Sequence, residues 1–583
     1  MRSAKELGLQ TVALYSDPDR DALHVAYADE AYRLGPAAPS ASYLNVEKIL
    51  DVAARSGADA VHPGYGFLAE NAGFARACIA AGLIWVGPHP EAIDAMGDKL
   101  RSRQAMIAAG VPVVPGGTAP VDSVEEALAA AKEYGLPLAL KASGGGGGKG
   151  LKVAHRLEDV EAAFTTARRE AEAYFKNPVV YCERYLDNPK HVEVQILADK
   201  HGTVLHVGER DCSLQRRHQK LYEETPAKIA PRLREQLCAA GVRAARAIAY
   251  DSVGTIETLV AGDEFFFLEM NTRIQVEHTI TEMVSGIDLV REQIRVAAGD
   301  PLGYGQEAVS LRGHAIEVRV NAEDPAQNFR PAPGRLSAYG EPSGFGVRVD
   351  AAASAGGTIS PDYDSMIAKL IVWAATREQA RARLRRAIDD YHIGGVTTTL
   401  PFLRALNDAE PVVAGDYGTA TLEAFAATWT PPAGAAPLAG ALAQLAGDAA
   451  AAGTAEGDGS AGEVVRVEVN DRLFRVRVLD RPSPTANPSS VGARAAARKP
   501  VAAKARANGR VASGNDIVAP MHGVVVEIMA GENASVAEGQ VVAVIEAMKM
   551  MNEIRAHRAG TVAKVHAEKG AMVESGAPLV TLA

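Results

Sequence analysis

"LPLALKASGGGGGKGLKVA", residues 136 to 154, decides how this chain is read. Apolar alternation runs up to it and away from it, so it predicts a strand, a glycine loop carrying Lys149, and a second strand. A run of glycines exposes backbone N–H groups that close over a phosphate. The loop is not a P-loop: Ser143 stands where the first glycine of that motif belongs, Gly150 follows the lysine, and a strand follows instead of a helix. A flexible linker is the plainer alternative, but five glycines inside a strand pair suit a lid over a triphosphate better. Lys141, just before the loop, and Lys99 in "MGDKL" are placed to neutralise phosphate charge.

Downstream lies "FFFLEMNTRIQVEH", residues 265 to 278. Glu269 and Asn271 are two apart on a predicted strand and share a face. "VGTIETLV" carries Glu257, and a turn at "AGDE" brings it opposite Glu269. Two carboxylates and an amide oxygen suit Mg²⁺ held together with substrate phosphates. Past the strand, Arg273, Gln275 and Glu277 alternate on one side. A salt-bridged sheet face explains isolated charges but not this density beside "FFFL". "RDCSLQRRHQKLYEE", residues 210 to 224, adds Gln215, His218 and Lys220, a weaker signal because a basic run is usually a solvated face.

The chain has 583 residues and a formal charge of −10, enough length for several domains and the wrong sign for general nucleic-acid binding. Cys78, Cys182, Cys212 and Cys238 form no CxxC pair, which suits a reducing compartment. No apolar run approaches the roughly 20 residues a membrane helix needs, and no signal-peptide core is present. A cytoplasmic enzyme is expected, with no nucleic-acid or membrane partner.

Residues 1–98 alternate "TVALYS" (strand), "NVEKILDVAARSG" (helix), "ADAVHP" and "GLIWVG" (strands), the pattern of a parallel nucleotide-binding-like domain. Its first recognisable element is a helix tail, "SAKELG", so a strand is expected to be missing upstream. Residues 99–315 hold the chemistry, and 316–428 return to mixed strand and helix, with an amphipathic helix in "REQARARLRRAIDDYHI". Residues 429–515 read as linker, rich in Ala, Gly and Pro, apart from a hairpin at 463–479. Residues 516–583 read all-β.

That last segment repeats itself at an offset of 37 residues: Ile517 falls on Ile554, Ala519 on Ala556, Gly523 on Gly560, Val536 on Val573 and Gly539 on Gly576. Two similar β-units are expected to pack face to face. They are joined by "EAMKMMNE", with Lys549 at the midpoint between two methionines. A turn lysine is the bland explanation, but exposed methionines suit a surface that another protein recognises.

Together "HPGYGFLAEN" (62–71), "GDK" (97–99), "KASGGGGGKG" (141–150), "CERYLDNPKHVEVQ" (182–195), "RDCSLQRRHQK" (210–220), "EMNTRIQVEH" (269–278), "GFGVRVD" (344–350) and "EAMKM" (546–550) resemble a biotin carboxylase fused to a biotin carboxyl carrier domain. That is the alpha subunit of an acyl-CoA (acetyl-/propionyl-CoA) carboxylase, and the resemblance covers nearly the whole chain apart from 429–515. It implies a multidomain α/β fold: a truncated Rossmann-like N-terminal domain, an ATP-grasp domain, a mixed α+β C-terminal carboxylase domain and a small, flattened all-β barrel of the biotinyl or lipoyl type.

It further implies ATP, bicarbonate, Mg²⁺ (or Mn²⁺) and biotin attached to Lys549. By match, Lys99 and Lys141 contact ATP phosphates under the loop of Gly146, Gly147, Gly148, Lys149 and Gly150. Glu183, Arg184 and Leu186 line the adenine site; His191, Gln215 and His218 lie near ribose and phosphates. Glu257, Glu269 and Asn271 hold the metal. Lys220, Arg273, Gln275, Val276 and Glu277 surround bicarbonate, with Glu277 as base, and Arg348 faces the biotin ureido oxygen. The implied partners are a carboxyltransferase beta subunit, a biotin protein ligase and further copies of this chain. Another acceptor such as pyruvate, or a non-catalytic biotin carrier, stands as the alternative. Thr258, Thr279 and Asp362 depart from the family pattern.

Overall fold

A computed structural model describes residues 1–143, 150–175, 177–217, 219–431, 463–469, 472–478, 515–520, 523–547, 550–573 and 576–583. Contacts divide the chain into two compact units. The larger holds Met1–Ile359 and the described residues from Met366 to 431, and the smaller holds Ser360–Ser365 and the described residues from 463 to Ala583.

The larger unit opens on the short helix Arg2–Glu6. The strand Val12–Ser16 then pairs in parallel with Glu30–Gly35, and Ala60–Val61 pairs in parallel with Ile84–Trp85. Between them runs Val46–Ser56, whose ends its sequence sets. The Asn45 side chain accepts from Lys48 N at its start, and Gly57 closes it in the left-handed region at φ 66°. Ile49 and Val52 on one face of this helix meet Tyr32, Leu34, Phe74 and Trp85 in a common core.

Strands Leu138–Ala142 and Leu151–Ala154 pair antiparallel on either side of the glycine loop, and Val180–Arg184 completes a three-stranded sheet. Helices Val124–Tyr134 and Val160–Phe175 lie along it; Ala127, Ala131, Ala167 and Ala171 are small enough to bring them close. The loop itself, 144–149, lies outside the described residues.

An eight-stranded sheet carries everything else. Its order is Glu264–Asn271, Val253–Ala261, Lys190–Ala198, Val204–Arg216, Gln219–Thr225, His314–Asn321, Met366–Ala374 and Val347–Ala351. Residue alternation builds its two faces. In "KHVEVQILA", Val192, Val194 and Ile196 pack beneath helix Pro231–Ala247, while His191, Glu193 and Gln195 point to the other side. Gly241 permits that contact, because a Cβ there would stand 3.0 Å from Val194 Cγ1. The sheet runs without a break across the boundary expected at 315/316, since Tyr222 pairs with Val318 and Thr225 with Ala315. Two departures from the family pattern are absorbed locally: Thr258 Oγ1 donates to Val192 O at 2.5 Å, and Thr279 donates to the buried Glu317 carboxylate.

In the smaller unit Glu463–Val469 and Arg472–Val478 form the expected hairpin. The remainder is two four-stranded sheets. One runs Asp516–Val518, Pro578–Leu582, Gly560–Val565, Ser535–Val536; the other runs Met550–Arg555, Val541–Ala547, Gly523–Ile528, Met572–Val573. Shifting by 37 residues carries one sheet onto the other strand by strand. The hydrogen bonds repeat as well: Gly539 N donates to Ala556 O at 2.8 Å, and Gly576 N to Ala519 O at 2.7 Å. Both glycines sit in the left-handed region, φ 79° and 84°. One expectation is corrected. The copies do not each form one face; every sheet takes two strands from each copy, so the halves interlock around Ile517, Val525, Ile545, Ile554, Val562 and Leu579.

Candidate active site

A cleft of about 620 Å³ lies over the polar face of the large sheet, and six consecutive strands supply its floor. Register explains the arrangement. Glu269 pairs with Glu257, Glu257 with Glu193, and Glu193 with Arg210, so three carboxylates stand in one row across adjacent strands. Like charges placed directly opposite repel, and the row is stable only because cations are built into it. Lys220 Nζ donates to Glu193 Oε2 at 2.5 Å, Glu257 Oε1 at 3.1 Å and Glu277 Oε1 at 2.6 Å. Arg210, fully buried, donates from Nε to Glu193 Oε1 at 2.6 Å. His191 Nε2 lies 3.3 Å from Glu257 Oε2. Burial alone would keep its ring neutral, but the carboxylates of Glu257 and Glu193 push it up to about 9.

Glu277, just before helix His278–Ser285, has a cation on each oxygen: Lys220 on Oε1 and Arg319 Nη2 on Oε2, 2.9 Å away. Burial raises its pKa, yet Lys220, Arg319 and Arg210 outweigh that and hold it below the ordinary carboxylate range. Gln275 donates from Nε2 to Glu257 Oε1 at 2.6 Å. Arg273 is held from outside the sheet: Glu70 Oε2 accepts from its Nε at 3.0 Å, and Glu70 Oε1 accepts from Thr272 N at 3.0 Å.

Towards the glycine loop, Lys141 and Arg103 both pair with Glu183, Arg103 at 3.3 Å. Lys99 begins helix Lys99–Ala108, whose start Asp98 caps by accepting from Leu100 N and Arg101 N, both at 2.9 Å. Its Nζ stands 4.0 Å from Glu269 Oε2. Gly150, Arg184, Leu186, Gln215 and Val276 line the same cleft. Gly146, Gly147, Gly148, Lys149, His218 and Lys549 lie outside the described residues.

The expected metal set fits this chemistry. Glu269 faces Glu257 with only the distant Lys99 for a counter-charge, and burial together with Glu257 raises its pKa. Glu257 is already met by Lys220 and His191, so Glu269 is the member of the pair short of positive charge. Asn271 Oδ1 lies beside it and also accepts from Arg273 Nη2 at 2.6 Å. His191, Glu193 and Glu257 also converge closely enough to share an ion, but Lys220 already occupies that position.

Arg348 does not line the cleft: it sits on the eighth strand, bidentate to Asp350 (2.8 Å for both bonds) and bonded to Glu282 at 2.7 Å. Arg319, on the sixth strand, does line the cleft, as do Arg184, Arg217 and Arg273, and it is the one of these that bonds Glu277. Arg319, Glu193 and Arg210 went unnoticed in the sequence. Arg319 falls in "GHAIEVRVN", past the expected domain boundary, and alternation with Glu317 was the signal available.

Four family models match this chain: "Biotin carboxylase, N-terminal domain" over residues 1–93, "Carbamoyl-phosphate synthase L chain, ATP binding domain" over 98–304, "Biotin carboxylase C-terminal domain" over 317–424, and "Biotin-requiring enzyme" over 515–582. Biotin carboxylase 1 of Bacillus subtilis (strain 168) is 50% identical over 428 residues, 73% of this chain and 95% of that protein. The biotin-dependent acyl-coenzyme A carboxylase alpha3 subunit of Mycobacterium leprae (strain TN) is 42% identical over 592 residues, 100% of this chain and 96% of that protein. The crystal structure of the Hydrogenobacter thermophilus 2-oxoglutarate carboxylase biotin carboxylase domain dimer, in complex with MgADP, ADP and bicarbonate, superposes with TM-score 0.70 at 48% identity. It covers 73% of this chain and 94% of that one. The chain therefore belongs to the biotin carboxylase family of ATP-dependent ligases and carries a biotin-lipoyl domain on the same polypeptide.

Proposed function

We propose that the chain carboxylates biotin carried on its own C-terminal domain, at Lys549, using ATP and bicarbonate, and so performs the first half-reaction of an acyl-CoA carboxylase. The observation that carries this is Glu277, ionised between Lys220 and Arg319 in a cleft that also contains Lys99 and Lys141. Lys220, Arg273 and the Gln275 amide bind bicarbonate, and Glu277 accepts its proton as the oxygen attacks the γ-phosphate, the bond to the β-phosphate oxygen breaks and ADP leaves, giving carboxyphosphate. Lys99 and Lys141 meet the phosphates, Lys141 exchanging its Glu183 partner for them. Glu257 and Glu269, with Asn271, hold Mg²⁺, which neutralises charge on the transferring phosphoryl group when bound. Carboxyphosphate then releases CO₂ and phosphate, and phosphate takes the ureido N–H proton. Arg319, in place of Arg348, stabilises the enolate oxygen of biotin, because it lines the cleft and is bonded directly to Glu277.

End-to-end likeness to an acyl-CoA carboxylase alpha subunit supports a separate carboxyltransferase beta subunit as acceptor, and a homo-oligomeric assembly. Bicarbonate-dependent ATP hydrolysis stimulated by free biotin tests the first half-reaction. Copurification of the beta subunit, followed by assays with acetyl-, propionyl- and longer acyl-CoAs, tests the acceptor. An active first half-reaction with transfer only to pyruvate would overturn the acyl-CoA reading alone.

A further inference from the structure

Arg210 makes five hydrogen bonds and does not line the cleft. Its side chain is 0% exposed. Nε donates to Glu193 Oε1 at 2.6 Å; Nη1 to Gln195 Oε1 at 2.5 Å and Thr281 Oγ1 at 2.9 Å; Nη2 to Thr255 Oγ1 at 3.3 Å and Gln275 Oε1 at 2.9 Å. A guanidinium has five N–H donors and no acceptor, so its capacity is fully used.

These partners come from the strands Lys190–Ala198 and Val253–Ala261, the segment after Asn271, and helix His278–Ser285. Gln195 is fixed in turn, its Nε2 donating to Gly254 O at 2.9 Å, so it cannot turn to release the guanidinium. Arg210 thus stands behind the site as a rigid fork.

The consequence is on the Gln275 amide. An amide has a donor end and an acceptor end of nearly equal shape, and its neighbours decide which way it points. On one side Arg210 offers only N–H groups, so it takes Oε1. On the other, the Glu257 carboxylate offers only lone pairs, so it takes Nε2. The cleft, which Gln275 lines, therefore meets an N–H donor instead of a carbonyl oxygen. A donor attracts an oxyanion and a carbonyl oxygen repels it.

We infer that Arg210 is a positioning residue for bicarbonate: it locks the Gln275 amide with its N–H end available to the anion. This rests on the assignment of bicarbonate to the Lys220–Arg273–Gln275 cluster. Arg210→Lys keeps a positive charge beside Glu193, and with it the partner of Lys220, but an ammonium cannot span the same fork of acceptors.

The test is a double-mutant cycle on the full chain, with Arg210→Lys, Gln275→Ala and the pair, reading KM for bicarbonate and for ATP in biotin-stimulated ATP hydrolysis. Arg210→Lys is expected to raise the bicarbonate KM about tenfold or more, the size of a lost charged hydrogen bond, and to leave the ATP KM within about twofold. On the Gln275→Ala background the same change is expected to add less than about twofold, because the group it orients is gone. Equal penalties in both backgrounds, parallel rises in both KM values, or a silent Arg210→Lys would overturn the inference. If Gln275→Ala itself leaves the bicarbonate KM unchanged, it is the underlying site reading that has failed. If thermal unfolding shows Arg210→Lys to be misfolded, Thr255→Val carries the test, since it removes the other acceptor on the same Nη2. A selective rise of about threefold in bicarbonate KM supports the lock, and no change overturns it.

Discussion

Arg319 Nη2 donates to Glu277 Oε2 at 2.9 Å, joining a strand and a helix start that the sequence separates by 42 positions. The same guanidinium donates from Nε to the buried Glu223 at 2.7 Å, so it cannot swing away from the cleft without stranding a carboxylate. Glu277 is thereby kept ionised beside a fixed cation, the state that the proposed base requires.

Arg319→Met is expected to lower carboxylation of free biotin by roughly 100-fold, the usual loss when a preorganised donor to a developing oxyanion is removed. Arg348→Met is expected to cost less than about fivefold, because its charge is already spent on Asp350 and Glu282 at the sheet edge. Steady-state rates of both variants decide the point. Equal losses, or a larger loss from Arg348→Met, would show that the cleft arginine has been misassigned.

Glu269→Gln is expected to raise the Mg²⁺ concentration needed for half-maximal turnover by about tenfold and to lower turnover by roughly 100-fold. Glu269 faces Glu257 across the hairpin with Lys99, 4.0 Å away, as its ion-pair partner, and so is the carboxylate of the two that is short of positive charge. Mg²⁺ titration of initial rates is the measurement. Near-normal turnover at low Mg²⁺ would mean that the ion is held elsewhere.

The parts of this site that were legible are those whose register a short turn sets. The turn at "AGDE", with Gly262 in the left-handed region at φ 61°, sets the hairpin from Ala261–Glu264 to Thr258–Phe267, and a register shift between Glu257 and Thr258 then brings Glu257 opposite Glu269. Glu193 completes the row but arrives from 64 positions upstream of Glu257, through a strand pairing that no local pattern specifies. Arg210 lies in a basic run, which ordinarily faces solvent; only the sheet topology shows it to be fully buried. Motif resemblance points to Arg348, but resemblance carries no information about which strand of a sheet borders a cleft. The 37-residue repeat was legible as a repeat. The interlocking was not, since similar halves pack as separate faces or exchange strands with the same periodicity.

Lys549 is expected to carry biotin. Ala547 pairs with Met550 across the hairpin that the repeat places at its midpoint. Peptide mass analysis after coexpression with a biotin ligase should find the adduct on Lys549 and on no other lysine. Lys549→Ala should abolish acyl-CoA carboxylation while leaving carboxylation of free biotin within about twofold, because the biotin-lipoyl domain and the carboxylase are separate compact units. Loss of both activities together would mean that the small domain is needed for the first chemistry as well.

Glu224 is expected to hold the expected ATP-grasp and C-terminal segments together, and acid should release them. It is fully buried on Gln219–Thr225 and accepts from His314 Nε2 at 2.9 Å, from Arg377 Nε at 2.9 Å and Nη2 at 3.0 Å, and from the Tyr417 hydroxyl. Burial pushes the carboxyl up, but the bonds from His314 and Arg377 outweigh it and hold it down, at about 2. A carboxylate whose folded pKa lies below its unfolded value of 4.5 adds stability above 4.5 and loses it as pH falls towards 2. By linkage that difference is worth about 3 kcal/mol. Glu224→Gln keeps the shape and removes the charge, leaving Arg377 buried against a neutral amide. At pH 7 the variant should unfold roughly 4 °C lower than the parent chain. Between about pH 5 and pH 3 its midpoint should fall less steeply, since the titrating group is gone. Thermal scans across that range check both effects, and an unchanged acid slope in the variant would place the pH-sensitive joint at some other carboxylate.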